Sequence, residues 1–159
     1  MMAARPISRS GFTLIEILVV LVIILILAAL TIGATKYALT RACTSRAQGE
    51  IATIEAALES YKTDVGVYPP STSNRGSMTE NSGSLYTALT TGGKKYFTFR
   101  PDQIKVTGGI TNIIDSFGIP YDYYRDSSGT QSNPATFDLW SFGPDQLNDT
   151  GDDIVNWRR

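Results

Sequence analysis

A long apolar segment lies near the start of the chain. Residues 17–35 contain no ionisable side chain, and a helix of this length spans about 28 Å, close to the thickness of a bilayer's hydrocarbon core. A secretory signal peptide usually has a shorter apolar region of about 7–15 residues. A core helix that is apolar on every face would need more surrounding structure than the rest of the chain predicts. The pattern therefore predicts a membrane-spanning helix.

Charged residues before the apolar segment indicate its orientation, and one carboxylate lies unexpectedly inside the apolar region. Arg5 and Arg9 precede the segment with no acidic residue among them, which predicts a cytoplasmic N-terminus and a C-terminal domain outside the cytoplasm. Glu16 sits inside the apolar region, where a lone carboxylate costs about 2.5–3.5 kcal/mol. Either Glu16 stays solvated at the membrane interface or a cation pairs with it. The span itself holds no Lys or Arg that could supply the cation.

After the span, the apolar spacing becomes that of an amphipathic helix. Apolar residues recur every three or four positions, and polar residues such as Glu50 fill the other faces. This apolar stripe consists of Ala47, Ile51, Ile54, Leu58 and Tyr61. With no Pro between Phe12 and Lys62, we expect one helix of about 50 residues. The stripe predicts packing on a C-terminal domain, because a coiled-coil seam usually needs three or four sustained heptads.

The C-terminal part predicts a small α+β domain. Gly66 and the pair Pro69-Pro70 end the long helix, and the Ser-, Thr-, Asn- and Gly-rich residues 71–84 predict a surface loop. A short helix is expected at residues 84–91, and residues 96–99 are β-prone. Residues 121–125 and 136–142 alternate polar and apolar side chains, which predicts an antiparallel hairpin.

Composition narrows the possible functions. The 14 Lys and Arg residues against 15 Asp and Glu give a net charge of −1, which argues against the basic surface that non-specific nucleic-acid binding needs. The absence of His excludes His-based catalytic triads and His zinc sites. The single cysteine, Cys43, excludes an internal disulfide and is interpreted as a packing residue.

A short loop near the C-terminus concentrates acidic residues. Residues 145–153 hold four carboxylates with no Lys or Arg beside them. They are either solvated surface groups or the ligands of a hard cation, and oxygen ligands without His or Cys favour Ca²⁺. The spacing does not match an EF-hand. A third alternative, a membrane-anchored enzyme using Asp152 and Asp153 as acid and base, lacks a recognisable nucleophile. We therefore predict no enzymatic activity.

The first apolar residues resemble a known processing site. The run Gly11-Phe12-Thr13-Leu14-Ile15-Glu16 resembles the class III leader junction of type IV pilins and pseudopilins. The resemblance implies that a prepilin peptidase cuts after Gly11 and that the new N-terminal Phe12 is methylated. It also implies that Glu16 attracts the positive N-terminus of a neighbouring subunit, which would supply the missing cation.

The C-terminal half carries a second resemblance. Residues 115–121, 138–145 and 152–157 resemble the major pseudopilin family of type II secretion, whose last loop binds Ca²⁺. The resemblance implies side-chain ligands at Asp145, Asp152 and Asp153 and carbonyl ligands at Phe142 and Leu147. Asp149 and Ser141 are possible additions or substitutes.

Together these resemblances imply a type IV pilin-like α+β fold, in which a long N-terminal helix packs on a small antiparallel β-sheet with a C-terminal metal-binding loop. The expected divisions are a cleaved leader at 1–11, a membrane and assembly helix at 12–35, an amphipathic periplasmic half of the helix at 36–63, and the α/β region at 64–159.

The implied function is that of a structural subunit of a helical pseudopilus filament in type II secretion. The subunit would sit in the bacterial inner membrane, with membrane lipid around it and its C-terminal domain in the periplasm. Implied partners are further copies of the chain, minor pseudopilins, the prepilin peptidase, and an inner-membrane platform and ATPase, and no nucleic acid. The alternative is a type IV pilin of a surface fibre for adhesion, motility or DNA uptake.

Overall fold

The computed structural model describes residues 11–72, 74–126 and 131–157. Except for Gly11, the predicted leader lies outside the described residues, and so do Arg5 and Arg9. The chain falls into two compact units that divide between Leu39 and Thr40.

A single long helix, α1, runs over Leu14–Val65, as the sequence predicts. At its end, the Gly66 N–H donates to the Lys62 carbonyl at 2.7 Å. Gly66 has a φ of +89°, a left-handed conformation that Gly adopts without a Cβ clash. The helix therefore ends at the Gly-Pro segment where its termination is predicted.

The N-terminal unit is the apolar part of α1. Its large apolar side chains between Leu14 and Leu30 are 46–84% exposed, so no other described residue covers them. The most apolar 18-residue window of α1 has a mean hydropathy of 3.2. By length and composition, this part of α1 fits a membrane span.

In the C-terminal unit, α1 supplies one wall of the core. Ala47, Ile51, Ile54 and Leu58 are 0–3% exposed, and Tyr61 packs partly buried against the same cluster. The predicted stripe is therefore confirmed as a packing face. Glu50 departs from the prediction, because it is buried rather than part of the polar surface.

A second helix and two small sheets complete the unit. Helix α2 covers Met78–Thr90. The first sheet is an antiparallel pair, β1 at Ile104–Thr107 with β2 at Ile110–Ile113. The second sheet has the order β3-β4-β5, with every pair antiparallel. Its strands are β3 at Asp122–Tyr124, β4 at Asp138–Ser141 and β5 at Ile154–Val155.

The predicted pairing of the two alternating segments is confirmed. Tyr123 of β3 lies opposite Leu139 of β4, and both side chains are fully buried. The β1–β2 pair was not predicted, although Gly108-Gly109 between β-branched residues is a hairpin signal. The fold is thus α+β, with a long helix packed on small antiparallel sheets.

Helix α2 begins earlier than the sequence predicts. Asn81 and Ser82, expected in a surface loop, are fully buried. The Ser82 hydroxyl donates to the Ile113 carbonyl at 3.1 Å and accepts from the Ile113 N–H at 2.9 Å. The Asn81 amide donates to the Asp122 carboxylate at 2.9 Å. These tertiary hydrogen bonds outweigh the weak helix propensity of Ser, Asn and Gly.

The β-prone residues 96–99 do not form a strand. The N–H groups of Tyr96 and Phe97 donate to the Leu89 carbonyl near the end of α2, at 2.9 and 3.2 Å. These N–H groups therefore hydrogen-bond to the end of a helix and not to a neighbouring strand. The rings of Tyr96, Phe97 and Phe99 pack on the core. Tyr96, for example, contacts Tyr61 edge to face at 5.1 Å between ring centroids.

Candidate functional site

The predicted assembly residues lie at the first turn of α1. Phe12 is 83% exposed. The Thr13 N–H and hydroxyl both donate to Oε2 of Glu16 at 2.9 Å, and the Glu16 N–H donates to the Thr13 hydroxyl oxygen at 3.3 Å. This reciprocal arrangement is a capping box, which satisfies donors at the start of a helix. Glu16 therefore has a neutral partner within the chain, and no ion pair joins it to a cation among the described residues.

Four of the five predicted metal ligands meet at a residue that was not predicted. The Thr150 hydroxyl oxygen lies 3.4 Å from Asp145 Oδ1 and 2.7 Å from Asp152 Oδ1. It lies 3.2 Å from both Asp153 Oδ1 and the Leu147 carbonyl oxygen. One hydroxyl has a single proton, so it can donate to only one of these four oxygens at a time. Three of the four oxygens therefore lie near Thr150 without a hydrogen bond from its hydroxyl to offset their negative charge.

The backbone folds the loop so that these oxygens converge. The Asp145 N–H donates to Asp152 Oδ2 at 3.1 Å, and the Leu147 N–H donates to Asp145 Oδ1 at 2.9 Å. Gln146 and Asp149 have φ values of 61° and 60°, a conformation uncommon for residues other than Gly. Local hydrogen bonds and turns thus hold a nine-residue segment closed without a regular element.

The other predicted positions are placed differently. Phe142 has a buried side chain at the start of the loop and is not among the contacts of Thr150. The Ser141 hydroxyl donates to the buried Asp115 carboxylate at 2.6 Å. Asp149 lies 3.8 Å from the Arg75 guanidinium. Asp115 and Arg75 therefore engage the two residues that were possible additional ligands.

The loop carboxylates are in unequal environments. The hydrogen bond from Thr150 lowers the pKa of Asp152, while partial burial raises the pKa of Asp153. Among the described residues, no ion pair joins a Lys or Arg to Asp145, Asp152 or Asp153. Three converging carboxylates without an ion pair, together with the Leu147 carbonyl, have the donor chemistry that suits Ca²⁺.

The acidic loop does not have the geometry of a metal site in this structure. In residues 11–72, 74–126 and 131–157, no three His, Cys, Asp or Glu side chains stand together in the arrangement of a metal site. Thr150 was not among the predicted ligands, and its only signal in the sequence is a hydroxyl residue inside an Asp-rich loop. The oxygens present fit a hard cation, and small side-chain movements around Thr150 would be needed to receive one.

Comparisons with known proteins cover almost the whole chain. Residues 7–32 match the family described as the prokaryotic N-terminal methylation motif, and residues 36–157 match the family described as type II secretion system (T2SS), protein G. A type II secretion system core protein G from Pseudomonas aeruginosa is 34% identical over 154 residues, covering 94% of this chain and 96% of that protein.

Further relatives give the same result. The core protein G of Escherichia coli is 32% identical and that of Dickeya chrysanthemi 30% identical, each over 150 residues and 94% of this chain. These matches cover 92% of the Escherichia coli protein and 86% of the Dickeya protein.

Among solved structures, the crystal structure of the major pseudopilin from the type 2 secretion system of enterohaemorrhagic Escherichia coli aligns with a TM-score of 0.45 and 24% identity. The alignment covers 75% of this chain and 90% of that one. On the family match and the curated relatives, the chain belongs to the type II secretion system protein G family and is a pseudopilus subunit, as the sequence resemblance predicted.

Proposed function

We propose that the chain is stored in the bacterial inner membrane by residues 12–35 and leaves it to become a building block of a periplasmic filament that drives protein export. The exposed apolar side chains of this segment support membrane storage. Arg5 and Arg9 support a cytoplasmic N-terminus, and the remainder of the chain then lies in the periplasm. In the filament, the apolar helix exchanges lipid for the helices of neighbouring copies.

Maturation removes the leader. The prepilin peptidase cuts after Gly11, and the new N-terminus at Phe12 is methylated. The match to the N-terminal methylation motif over residues 7–32 supports this step. Because a methylated amine keeps its positive charge, cleavage creates a cation at the front of the apolar helix, four residues before Glu16 in sequence.

Assembly uses this new cation. The N-terminus at Phe12 of one copy pairs with Glu16 of the next, and this contact between two different surfaces repeats without closing, which produces a fibre. The observation that carries the proposal is the Glu16 carboxylate, whose hydrogen bonds come from the uncharged groups of Thr13. In an apolar environment, a carboxylate is stabilised far better by an opposite charge than by neutral donors alone.

Calcium orders the C-terminal loop. Asp145, Asp152 and Asp153 would hold it with side-chain oxygens, and Phe142 and Leu147 with carbonyl oxygens. The convergence of four of these residues on Thr150 supports the assignment. Bound Ca²⁺ supplies the positive charge that cancels the repulsion among the carboxylates. With one Cys in the chain, no internal disulfide can do the same.

The role is structural, and we assign no reaction to the chain. Its partners are further copies of itself, minor pseudopilins, the prepilin peptidase, and the inner-membrane platform and ATPase of the secretion system. The family match to protein G supports these partners.

A substitution at Glu16 tests the assembly step. Glu16→Gln keeps an acceptor for Thr13, because Gln also completes a capping box, but removes the charge. We expect filament yield, measured by electron microscopy and cysteine crosslinking, to fall at least about tenfold. Thr13→Ala is the matched control, since it removes the cap and keeps the charge. Normal filaments from Glu16→Gln, with the processed and methylated chain verified by mass, would refute the proposed contact.

A further inference from the structure

Arg75 joins three separate segments of the C-terminal unit. Its guanidinium carbon lies 4.8 Å from the ring centroid of Trp140 in β4 and 5.0 Å from that of Trp157 beyond β5. The two indole rings contact each other edge to face, 5.7 Å apart at an angle of 74°. A planar guanidinium on two aromatic faces is held in place by cation–π attraction. Arg75 itself comes from the segment that precedes α2.

The same guanidinium touches one buried and one exposed carboxylate. Nη1 lies 3.4 Å from Oδ2 of Asp138, whose side chain is fully buried, and Nη2 lies 3.8 Å from Oδ1 of Asp149, whose side chain is 70% exposed. Nη1 also donates to the Ser132 hydroxyl at 3.1 Å. The ion pair with buried Asp138 holds the guanidinium in place, and the ion pair with exposed Asp149 links it to the C-terminal loop.

A neighbouring contact fixes the loop at the same place. The Trp140 indole N–H donates to Oδ1 of Asn148 at 2.9 Å. Gly76, next to Arg75, lets the loop approach closely, because a Cβ there would lie 3.3 Å from the Asn148 amide nitrogen. Asn148 and Asp149 therefore face Arg75 and Trp140, whereas the oxygens that converge on Thr150 come from other loop residues.

We propose that Arg75 is a positioning residue that anchors Asn148 and Asp149 to the body of the protein without metal. In this arrangement Asp149 is the counter-ion of Arg75 and not a calcium ligand. Asp145, Asp152 and Asp153 are left for the cation. The division of the carboxylates rests on the calcium site proposed above, but the anchor does not. Because Arg75 already orders one side of the loop, Ca²⁺ binding has fewer residues to order. The entropic cost of binding is therefore lower, and the affinity of the loop for Ca²⁺ is higher.

Amide hydrogen exchange of the full-length chain in detergent micelles tests the anchor in EGTA. We expect Arg75→Gln to accelerate exchange of residues 147–151 at least about tenfold. In this variant the loop can open without breaking the contacts of Arg75, so opening costs less free energy. Arg75→Lys should give most of the same increase, because an ammonium cannot stack on both rings and reach two carboxylates. Arg100→Gln is the control, with the same loss of charge at an exposed arginine that pairs with Asp102.

Equal loop exchange in Arg75→Gln and Arg100→Gln would overturn the anchor. If Arg75→Gln does not fold, Asp149→Asn replaces it, since its side chain is mostly exposed and its loss leaves the core intact. We expect this variant to accelerate exchange of the same residues at least about threefold. Unchanged exchange in Asp149→Asn would likewise overturn the anchor.

Metal titration of the same protein tests the division of the carboxylates. Tb³⁺ luminescence excited through Trp140 and Trp157, displaced by Ca²⁺, gives the Ca²⁺ dissociation constant. We expect Asp152→Asn to weaken Ca²⁺ binding at least about 30-fold, Arg75→Gln about 3- to 10-fold, and Asp149→Asn less than about threefold.

Weakening by Asp149→Asn as large as that by Asp152→Asn would make Asp149 a ligand and refute the division. A wild-type chain that binds no Ca²⁺ refutes the calcium site and the division with it. In that case the exchange rates in EGTA still decide whether Arg75 anchors the loop.

Discussion

The Glu50 carboxylate of α1 accepts a hydrogen bond from the Tyr121 hydroxyl at 2.8 Å, with both side chains buried. Its other oxygen accepts from the Gln103 amide at 3.2 Å and from Arg46 at 3.0 Å. Burial raises the pKa of the Tyr121 hydroxyl, and the neighbouring carboxylate raises it further. Tyr121 therefore remains a proton donor that joins the long helix to the segment leading into β3.

Removing this donor is expected to destabilise the C-terminal unit. Tyr121→Phe leaves one oxygen of a buried carboxylate without its partner, which costs about 1–3 kcal/mol of unfolding free energy. Urea unfolding followed by tryptophan fluorescence measures the loss. In a double-mutant cycle with Glu50→Met, which removes the acceptor of the Tyr121 hydroxyl at similar side-chain length, we expect a coupling energy of at least about 0.5 kcal/mol. Independent, additive effects of the two substitutions would show that the hydrogen bond contributes nothing.

Glu50 also shows what helical spacing predicts and what it does not. The spacing identified Ala47, Ile51, Ile54 and Leu58 as the buried face, and all four are buried. It could not identify Glu50, because a carboxylate is expected at the surface unless its partners are known. Arg46 is four positions away, but the buried partners Gln103 and Tyr121 lie 53 and 71 positions away in sequence.

The strands show the same limit. The hairpin of β3 and β4 was predictable because both strands alternate polar and apolar residues, whereas the signal at Gly108-Gly109 was present and missed. Residues 96–99 have β-prone side chains, yet their backbone donors bind the end of α2. Local preference decides little where tertiary hydrogen bonds are available.

For the candidate site, the resemblance supplied the predicted ligand residues, and the structure supplied their neighbours. The convergence on Thr150 depends on Gln146 and Asp149 adopting positive φ, which residue type disfavours. The contact of Arg75 with Asp149 joins residues far apart in sequence, and no periodicity indicates it.

Calcium removal is expected to loosen the C-terminal loop. The proposed site binds Ca²⁺ only in the folded loop, so a free concentration of about 100 times its dissociation constant should add about 2.7 kcal/mol to stability. EGTA should remove this increment, lower the melting temperature, and accelerate amide exchange of residues 142–157. Mg²⁺ should restore less of it, since it demands shorter bonds in octahedral geometry. Asp152→Asn is the control, because a site at least about 30-fold weaker keeps at most about 0.9 kcal/mol of this increment at the same Ca²⁺ concentration. An identical melting temperature of the wild-type chain in EGTA and in excess Ca²⁺ would argue against the site.

A substitution at Gly143 should distort the loop from inside. Gly143 has a φ of +70°, and a Cβ there would collide with the Asp152 carbonyl oxygen. Gly143→Ala is therefore expected to cost at least about 1–2 kcal/mol for the left-handed backbone and to weaken Ca²⁺ binding by displacing Asp152. Gly151→Ala is the matched control in the same loop, because a Cβ at Gly151 meets nothing within 4 Å. Equal Ca²⁺ affinities and stabilities of the two variants would contradict the role of Gly143.

The ion pairs of Asp102 predict a pH dependence of stability. Hydrogen bonds from Arg100 and Arg46 lower the pKa of Asp102 to about 2, from about 3.9 in an unfolded chain. A lowered folded pKa gives stability that is complete above the unfolded value and disappears as the pH falls through the folded value. The stability advantage of the wild-type chain over Asp102→Asn should thus be constant above about pH 5, shrink below about pH 4 and vanish near pH 2.

Urea unfolding of the wild-type chain and of Asp102→Asn across this pH range measures the difference in stability. Added salt should reduce this difference at neutral pH, because Asp102, Arg46 and Arg100 are all exposed. An advantage that grows as the pH falls from 4 to 2 would mean that the protonated carboxyl is the favoured form. The pairs with Arg46 and Arg100 would then not be what holds this segment against α1.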